Sequence, residues 1–169
     1  MTKKPQPPSI KMKLPDEIIK FLDEQNIVIV STFDENENIH CSVKGIIGSE
    51  ETEKIFIIDV YKKRTYKNLK RNPKVSITAV DEQKFKGYTL QGKAKLIIQQ
   101  KISKNVLERY EERITRRISN RVIKGVQKCT KSSKHHEGEL PILPKYLIEI
   151  AVEKIIDLSP PSIRGQVST

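Results

Sequence analysis

The chain has no tryptophan, and its nine other aromatics, four Phe and five Tyr, are spread thinly over 169 residues. Modules that bind single-stranded nucleic acid need exposed rings on which bases stack, and no stacking motif is evident. Cysteine is almost as scarce: Cys41 and Cys129 are the only two, and they lie far apart. That spacing excludes a disulfide-dense secreted scaffold and points to a reducing, cytoplasmic setting. No apolar run approaches the ~20 residues of a membrane span. The N-terminal string "MTKKPQPPSIKMKLP" is charged and proline-rich, without the apolar core of a signal peptide. The expectation is a soluble chain with no membrane partner, long enough for one domain with a real core.

What is abundant is positive charge. The formal net charge is +11, and residues 101–134 alone carry eleven Lys or Arg against three Glu. Such an excess attracts polyanions, whether nucleic acid, anionic lipid or a phosphorylated ligand, without choosing among them.

The order of elements follows from periodicity. Residues 1–13 read as a flexible tail and 159–169 as a second one, leaving 14–158 as the domain. In "LPDEIIKFLDEQN", Pro15, Asp16 and Glu17 suit a first helical turn, and Ile18, Ile19, Phe21 and Leu22 give an apolar face. "IVIVSTF" (27–33), "IHCSVKGII" (39–47), "KIFIIDV" (54–60), "KVSITAV" (74–80) and "YTLQGKAKLII" (88–98) read as strands, with Gly92 fitting a bulge. From about Ser103 to Lys128 the period becomes four: Val106, Tyr110, Ile114, Ile118, Val122 and Val126 form the stripe of one amphipathic helix. The Arg row Arg109, Arg113, Arg117 and Arg121 is expected on its solvated face. "KYLIEIAVEKIIDL" (145–158) reads as a sixth strand. Hairpin connections and the lack of a Gly-rich phosphate turn favour a mainly β, α+β antiparallel barrel or sandwich over a doubly wound sheet.

The stretch with the most chemistry is "YKKRTYKNLKRNPKVSI", which packs Lys62, Lys63, Arg64, Lys67, Lys70 and Arg71 just ahead of a strand. An Arg fork, the Thr65 hydroxyl and the free amides of a helix start together make a cradle for a phosphate dianion. The competing reading is a solvated cationic loop. Lys44 poses a similar choice: on an alternating strand it faces either water or a ligand.

These strings resemble the pyridoxamine 5′-phosphate oxidase-like family of FMN-binding split β-barrels. "IVIVSTFDENENIHCSV" resembles the opening hairpin, "SVKGII" the second strand, and "KIFIIDVYKKRTYKNLKRNPKVSI" the strand, basic turn, Asn-Leu and Asn-Pro-x-Val signature. The resemblance implies a six-stranded antiparallel split β-barrel of Greek-key type, with an N-terminal helix and a long helix before the last strand. It implies FMN as cofactor, with Lys63, Arg64 and Thr65 on the phosphate, and His40, Cys41, Ser42, Val43 and Lys44 beneath the flavin. Ile58, Asp59 and Val60 would line the neighbouring strand, with Gln91 on a further one. It also implies a homodimer with FMN at the interface, which the open strand edges of a split barrel would favour. The family's Ser-Arg-Lys turn is here Lys63, Arg64, Thr65, and residues specific for pyridoxal phosphate have no counterpart, so vitamin B6 oxidation is not implied.

The expected function is that of an FMN-dependent oxidoreductase acting on a small molecule, with no catalytic residue assigned. The alternatives are a deazaflavin- or haem-binding split barrel, or a basic nucleic-acid-binding module. Cys129, His135 and His136 in "CTKSSKHH" lack the spacing of a structural zinc site, and no metal is expected.

Overall fold

The computed structural model describes residues 12–50, 53–127 and 144–164. Six strands, β1 (Ile27–Phe33), β2 (Ile39–Glu50), β3 (Lys54–Ile58), β4 (Lys74–Asp81), β5 (Lys86–Ile98) and β6 (Tyr146–Asp157), form a closed antiparallel barrel in the order β1-β2-β3-β6-β5-β4. Helices α1 (Asp16–Glu24), α2 (Arg64–Arg71), α3 (Lys104–Gln127) and the short α4 (Pro161–Arg164) surround it. The expected strand order and helix placement are present.

Alternation sets the two faces of the wall. On β1, Val28 and Val30 point into the barrel while Ile27 and Ile29 are exposed, and β4 sends Val75, Ile77 and Ala79 inward. β3 is buried on both sides: Ile55 and Ile57 join the barrel interior, and Phe56 and Ile58 join Ile47, Leu147 and the α3 residues Val106 and Tyr110 in a second cluster. α1 sits where β1 begins and inserts Ile18, Phe21 and Leu22, with the Phe21 ring edge-on to Tyr88 at 5.0 Å. β3 and β4 stand on opposite walls of the ring, so the segment joining them must cross the barrel's other end. α2 is that crossing element, and this is what puts its cations over an opening.

Two bulges shape the wall. Between Gln91 and Gly92 the β6 partner jumps from Lys154 to Val152, and Ala151 O lies so close to Gly92 that no Cβ would fit. This agrees with the bulge read from the sequence. The second, unanticipated, falls between Ile46 and Gly48 on β2, where Gly48 takes φ 134°, in the left-handed region that favours glycine. It turns Ile46 into the barrel and Ile47 toward α3.

The bulge overturns the expected orientation of the Arg row. Arg113 is buried, 8% exposed, and its guanidinium donates to Ile47 O (3.2 Å), Gln25 O (3.1 Å) and Asp23 Oδ1 (3.0 Å). Arg117 donates to Asn26 O and to Ile46 O, the latter at 3.4 Å, and Arg109 donates to Ser49 O. Carbonyls at a bulge lose ladder partners, and covered carbonyls need donors, so the arginines beside the stripe turn inward to supply them. Ile118, expected in the packed stripe, is instead 42% exposed. The Arg121 and Val122 side chains lie outside the described residues, as do Cys129, His135 and His136.

Two further expectations change. The ring is closed by β1 pairing with both β2 and β4, so no open strand edge argues for a dimer. In the expected C-terminal tail, Pro161–Arg164 form a helical turn held by Arg164 on Ser159 O (2.6 Å) and Asp157 O (2.9 Å).

Candidate functional site

α2 is built to hold one end fast and leave the other open. Its inner face, Thr65, Asn68 and Leu69, is buried, with Leu69 in the barrel core and Asn68 Nδ2 donating to Thr32 Oγ1 at 3.0 Å. Arg71 donates to Phe33 O at 2.9 Å, and Asn72 Oδ1 accepts from Lys74 N at 3.1 Å as the chain leaves the helix ahead of β4. The N-terminal end has neither a side-chain cap nor an acidic residue in its first turn. Lys62 just before it adopts φ 45°, a left-handed conformation uncommon for lysine. Its ammonium rests over the Tyr66 ring, 4.8 Å from the centroid, and Tyr66 stacks edge-on to Tyr146 at 5.0 Å.

Facing this end, β2 presents His40, Ser42 and Lys44 on its inward side, two residues apart. Ser42 Oγ and Thr65 Oγ1 share a hydrogen bond of 3.0 Å, which ties the strand to the first turn of α2. Lys44 Nζ meets Asp59 Oδ1 at 2.6 Å, and the other oxygen of that buried carboxylate accepts from Tyr146 OH at 2.5 Å. Burial and the Asp59 bond push the Tyr146 hydroxyl far above its ordinary value, so it stays a donor. Lys44 is thus a paired cation on the floor of the site, not the free one imagined beside a ligand ring.

Between α2 and the end of the β1–β2 hairpin lies a groove of about 1080 Å³, at the upper limit of the roughly 300–1,000 Å³ usual for small-molecule sites. Its walls carry Lys44, Lys62, Lys63, Arg64, Lys67 and Arg71, with Tyr61, Thr65, Asn68, His40 and Ser42; among the described residues, Asp34 and Glu35 are the acids in the lining. Asp34 is occupied within its own turn, accepting from the amides of Asn36 and Asn38 at 2.9 Å each. The His40 imidazole is held below its ordinary pKa, first by burial, then by Arg64 and Lys44, with Asp34 opposing. Its Nδ1 is buried without a hydrogen-bond partner.

His40, Ser42, Lys44, Lys63, Arg64 and Thr65 all line the groove, with Asp59 beneath it. The other expected site residues stand elsewhere. Cys41 is exposed on the outer face of β2 with Sγ 3.4 Å from Ser31 Oγ, and Val43 on the same face is 63% exposed. Gln91 is exposed on β5, while Ile58 and Val60 pack in the cluster under α3. Sequence reasoning missed Tyr146, which reaches the site from the last strand, and gave no individual role to Asn68 or to Lys67 and Arg71 of the basic stretch, which line the groove.

The closed six-stranded antiparallel barrel with its crossing helix defines the class of split-barrel proteins. The family model for pyridoxamine 5′-phosphate oxidase matches residues 14–158, and the chain belongs to this family. Among solved structures it is similar to HupZ of Group A Streptococcus, at 18% identity over 86% of this chain and 94% of that one, with a TM-score of 0.60. It is likewise similar to HutZ, a heme storage protein of Vibrio cholerae (18% identity, 86% and 94% covered, TM-score 0.54). A third is a Clostridium acetobutylicum protein related to general stress protein 26, of the pyridoxinephosphate oxidase family (18%, 87% and 94%, TM-score 0.54). At these identities the likeness establishes the fold. No curated protein matches the chain. No helix among the described residues is long and apolar enough to cross a membrane.

Proposed function

We propose that the chain is an FMN-binding flavoprotein that works as a homodimer and passes hydride or electrons to or from a small molecule. The observation that carries this reading is the meeting of Arg64, Thr65 and Ser42 at an uncapped helix start inside a cationic groove. Free amides, hydroxyls and an Arg fork at a helix N-terminus suit a phosphate dianion. Arg64 would hold the phosphate, with the Thr65 and Ser42 hydroxyls beside it. Bound FMN would supply the redox chemistry. Asp59 and Tyr146 fix the Lys44 ammonium and so preset the polarity of the groove floor. The homodimer is supported by the exposed apolar face of the barrel wall, Ile27, Ile29, Val43 and Val80, which faces away from the core.

A deazaflavin or haem is the second reading, favoured by six groove cations where a single phosphate needs two or three. A nucleic-acid module gains little support, since Arg109, Arg113 and Arg117 are directed at backbone carbonyls. The ultraviolet and visible spectrum of the purified protein, with mass spectrometry of what acid releases, separates these readings. Oxidised flavin bands and the mass of FMN are expected; a Soret band or a deazaflavin mass would reject the proposal.

A further inference from the structure

We propose that His40 is a cation recruited by the ligand: its imidazole takes up one proton from solvent when a phosphate dianion enters the groove, and so makes the site selective for the dianion. This deepens the FMN reading and rests on it.

The geometry begins with the strand. His40 lies two residues before Ser42 on the inward face of β2, and Ser42 touches Thr65 at the first turn of α2. Same-face neighbours on a strand stand about 7 Å apart, within one imidazole's reach of that turn. His40 lines the same groove as Arg64, Thr65 and Lys44. Its main chain is already engaged, with His40 O accepting from Thr32 Oγ1 at 3.5 Å, whereas its buried Nδ1 has no partner. Buried polar nitrogens are nearly always satisfied, so the orphan Nδ1 marks an imidazole whose hydrogen bonding is incomplete in the single chain.

The charges decide what that contact does. Burial first, and then Arg64 on α2 and Lys44 on β2, hold the imidazole below its ordinary pKa, Asp34 in the β1–β2 turn opposes them, and Lys67, Arg71 and Glu35 line the rest of the groove. A dianion placed among Arg64 and Lys44 offsets their repulsion and sets an opposite charge beside the ring, which works against the burial that disfavours protonation. The imidazolium then donates to a phosphate oxygen from the part of the ring that lines the groove. A neutral or singly charged ligand would not draw the same proton. Coupling has a sign: because the ligand raises the imidazole pKa, the added affinity is present at acid pH and is lost as the pH rises through the ligand-bound value.

The experiment uses the full chain with His135 and His136 replaced by Gln, so that His40 is the sole imidazole among the three histidines. Its protonation midpoint is followed by nuclear magnetic resonance free, with inorganic phosphate, with FMN and with riboflavin. Phosphate and FMN should raise the midpoint by at least about one unit and riboflavin should not, which corresponds to about a tenfold coupling. In parallel, the ratio of FMN dissociation constants for H40Q and the parent, in which the ligand's own titration cancels, should grow by roughly threefold or more between pH 8.5 and pH 6 and approach about tenfold only at lower pH. An unmoved midpoint under saturating FMN, or a ratio constant with pH, overturns the inference while leaving FMN binding intact. If the parent holds FMN no more tightly than riboflavin, the phosphate reading itself falls and takes the inference with it.

Discussion

Arg64 and Lys62 are two residues apart, both cationic and both on the groove, yet their surroundings assign them unequal work. Arg64 opens α2 beside the Thr65 and Ser42 hydroxyls, while the Lys62 ammonium is laid over the Tyr66 ring. Arg64→Ala should cost FMN binding about 1.5–3 kcal/mol, roughly 10- to 150-fold in Kd, and Lys62→Ala ~1 kcal/mol or less. Fluorescence titration with FMN and riboflavin checks this; an Arg64→Ala protein that prefers FMN as strongly as the parent would remove Arg64 from the phosphate. Lys44 and Asp59 form the other informative pair, with side chains 13% and 0% exposed. Lys44→Met strands a buried carboxylate and should destabilise the fold by about 3–5 kcal/mol, whereas Lys44→Met with Asp59→Asn should recover much of that loss. Urea midpoints decide it; additive losses would show that the two do not act as a pair. The basic half of the site was legible because its residues are consecutive in the chain and carry a recognisable pattern. The floor was legible only in part: the resemblance supplied Lys44 and Asp59, but Tyr146 is joined to Asp59 by folding across 87 positions, and spacing in sequence says nothing about such a pair.

At the scale of elements, strong periodicity was the reliable guide. The β-branched apolar run in "IVIVSTF" gives β1 its observed limits, and the four-residue period gives α3 to within a residue at each end. Periodicity identifies a stripe but not what flanks it, and there the reading failed. The arginines next to the α3 stripe look solvated until the β2 bulge, invisible in "KGIIGSE", supplies carbonyls for them to cap. α3, β2 and α1 are therefore joined at Arg113, which bonds to Ile47 O, Gln25 O and Asp23. Removing that guanidinium leaves covered carbonyls without donors and an unfilled space under the helix. Arg113→Ala should destabilise the protein by about 3 kcal/mol or more, while exposed Arg116→Ala stays within ~0.5 kcal/mol. Guanidinium midpoints at unchanged m-value would establish the difference, and equal midpoints for the two variants would return Arg113 to the surface.

For the whole molecule, the closed ring removes the strand edge as a reason to associate and shifts the question to the barrel's outer wall. Ile27 and Ile29 on β1, Val43 opposite Ile29 on β2, and Val80 on β4 are 58%, 45%, 63% and 58% exposed in a single chain. They stand beside the uncharged Ser31, Cys41 and Thr78, and the Arg117 guanidinium packed on nearby Gly45 is already engaged by Asn26 O and Ile46 O, so a second copy can cover them without burying an unpaired charge. Val43 separates association from folding, because its side chain contributes to the wall's outer face and not to the core. Val43→Glu should leave the urea midpoint of the isolated chain within ~0.5 kcal/mol of the parent. A carboxylate forced into a dry interface, by contrast, costs several kcal/mol per copy and should turn a micromolar dimer into a monomer in light scattering. If each flavin is shared between two chains, the same variant should also lose FMN affinity by at least tenfold, about 1.4 kcal/mol, although Val43 lies outside the groove. A Val43→Glu protein that stays dimeric would place the interface elsewhere, and one that becomes monomeric yet binds FMN as the parent does would show that the groove of a single chain is the whole site.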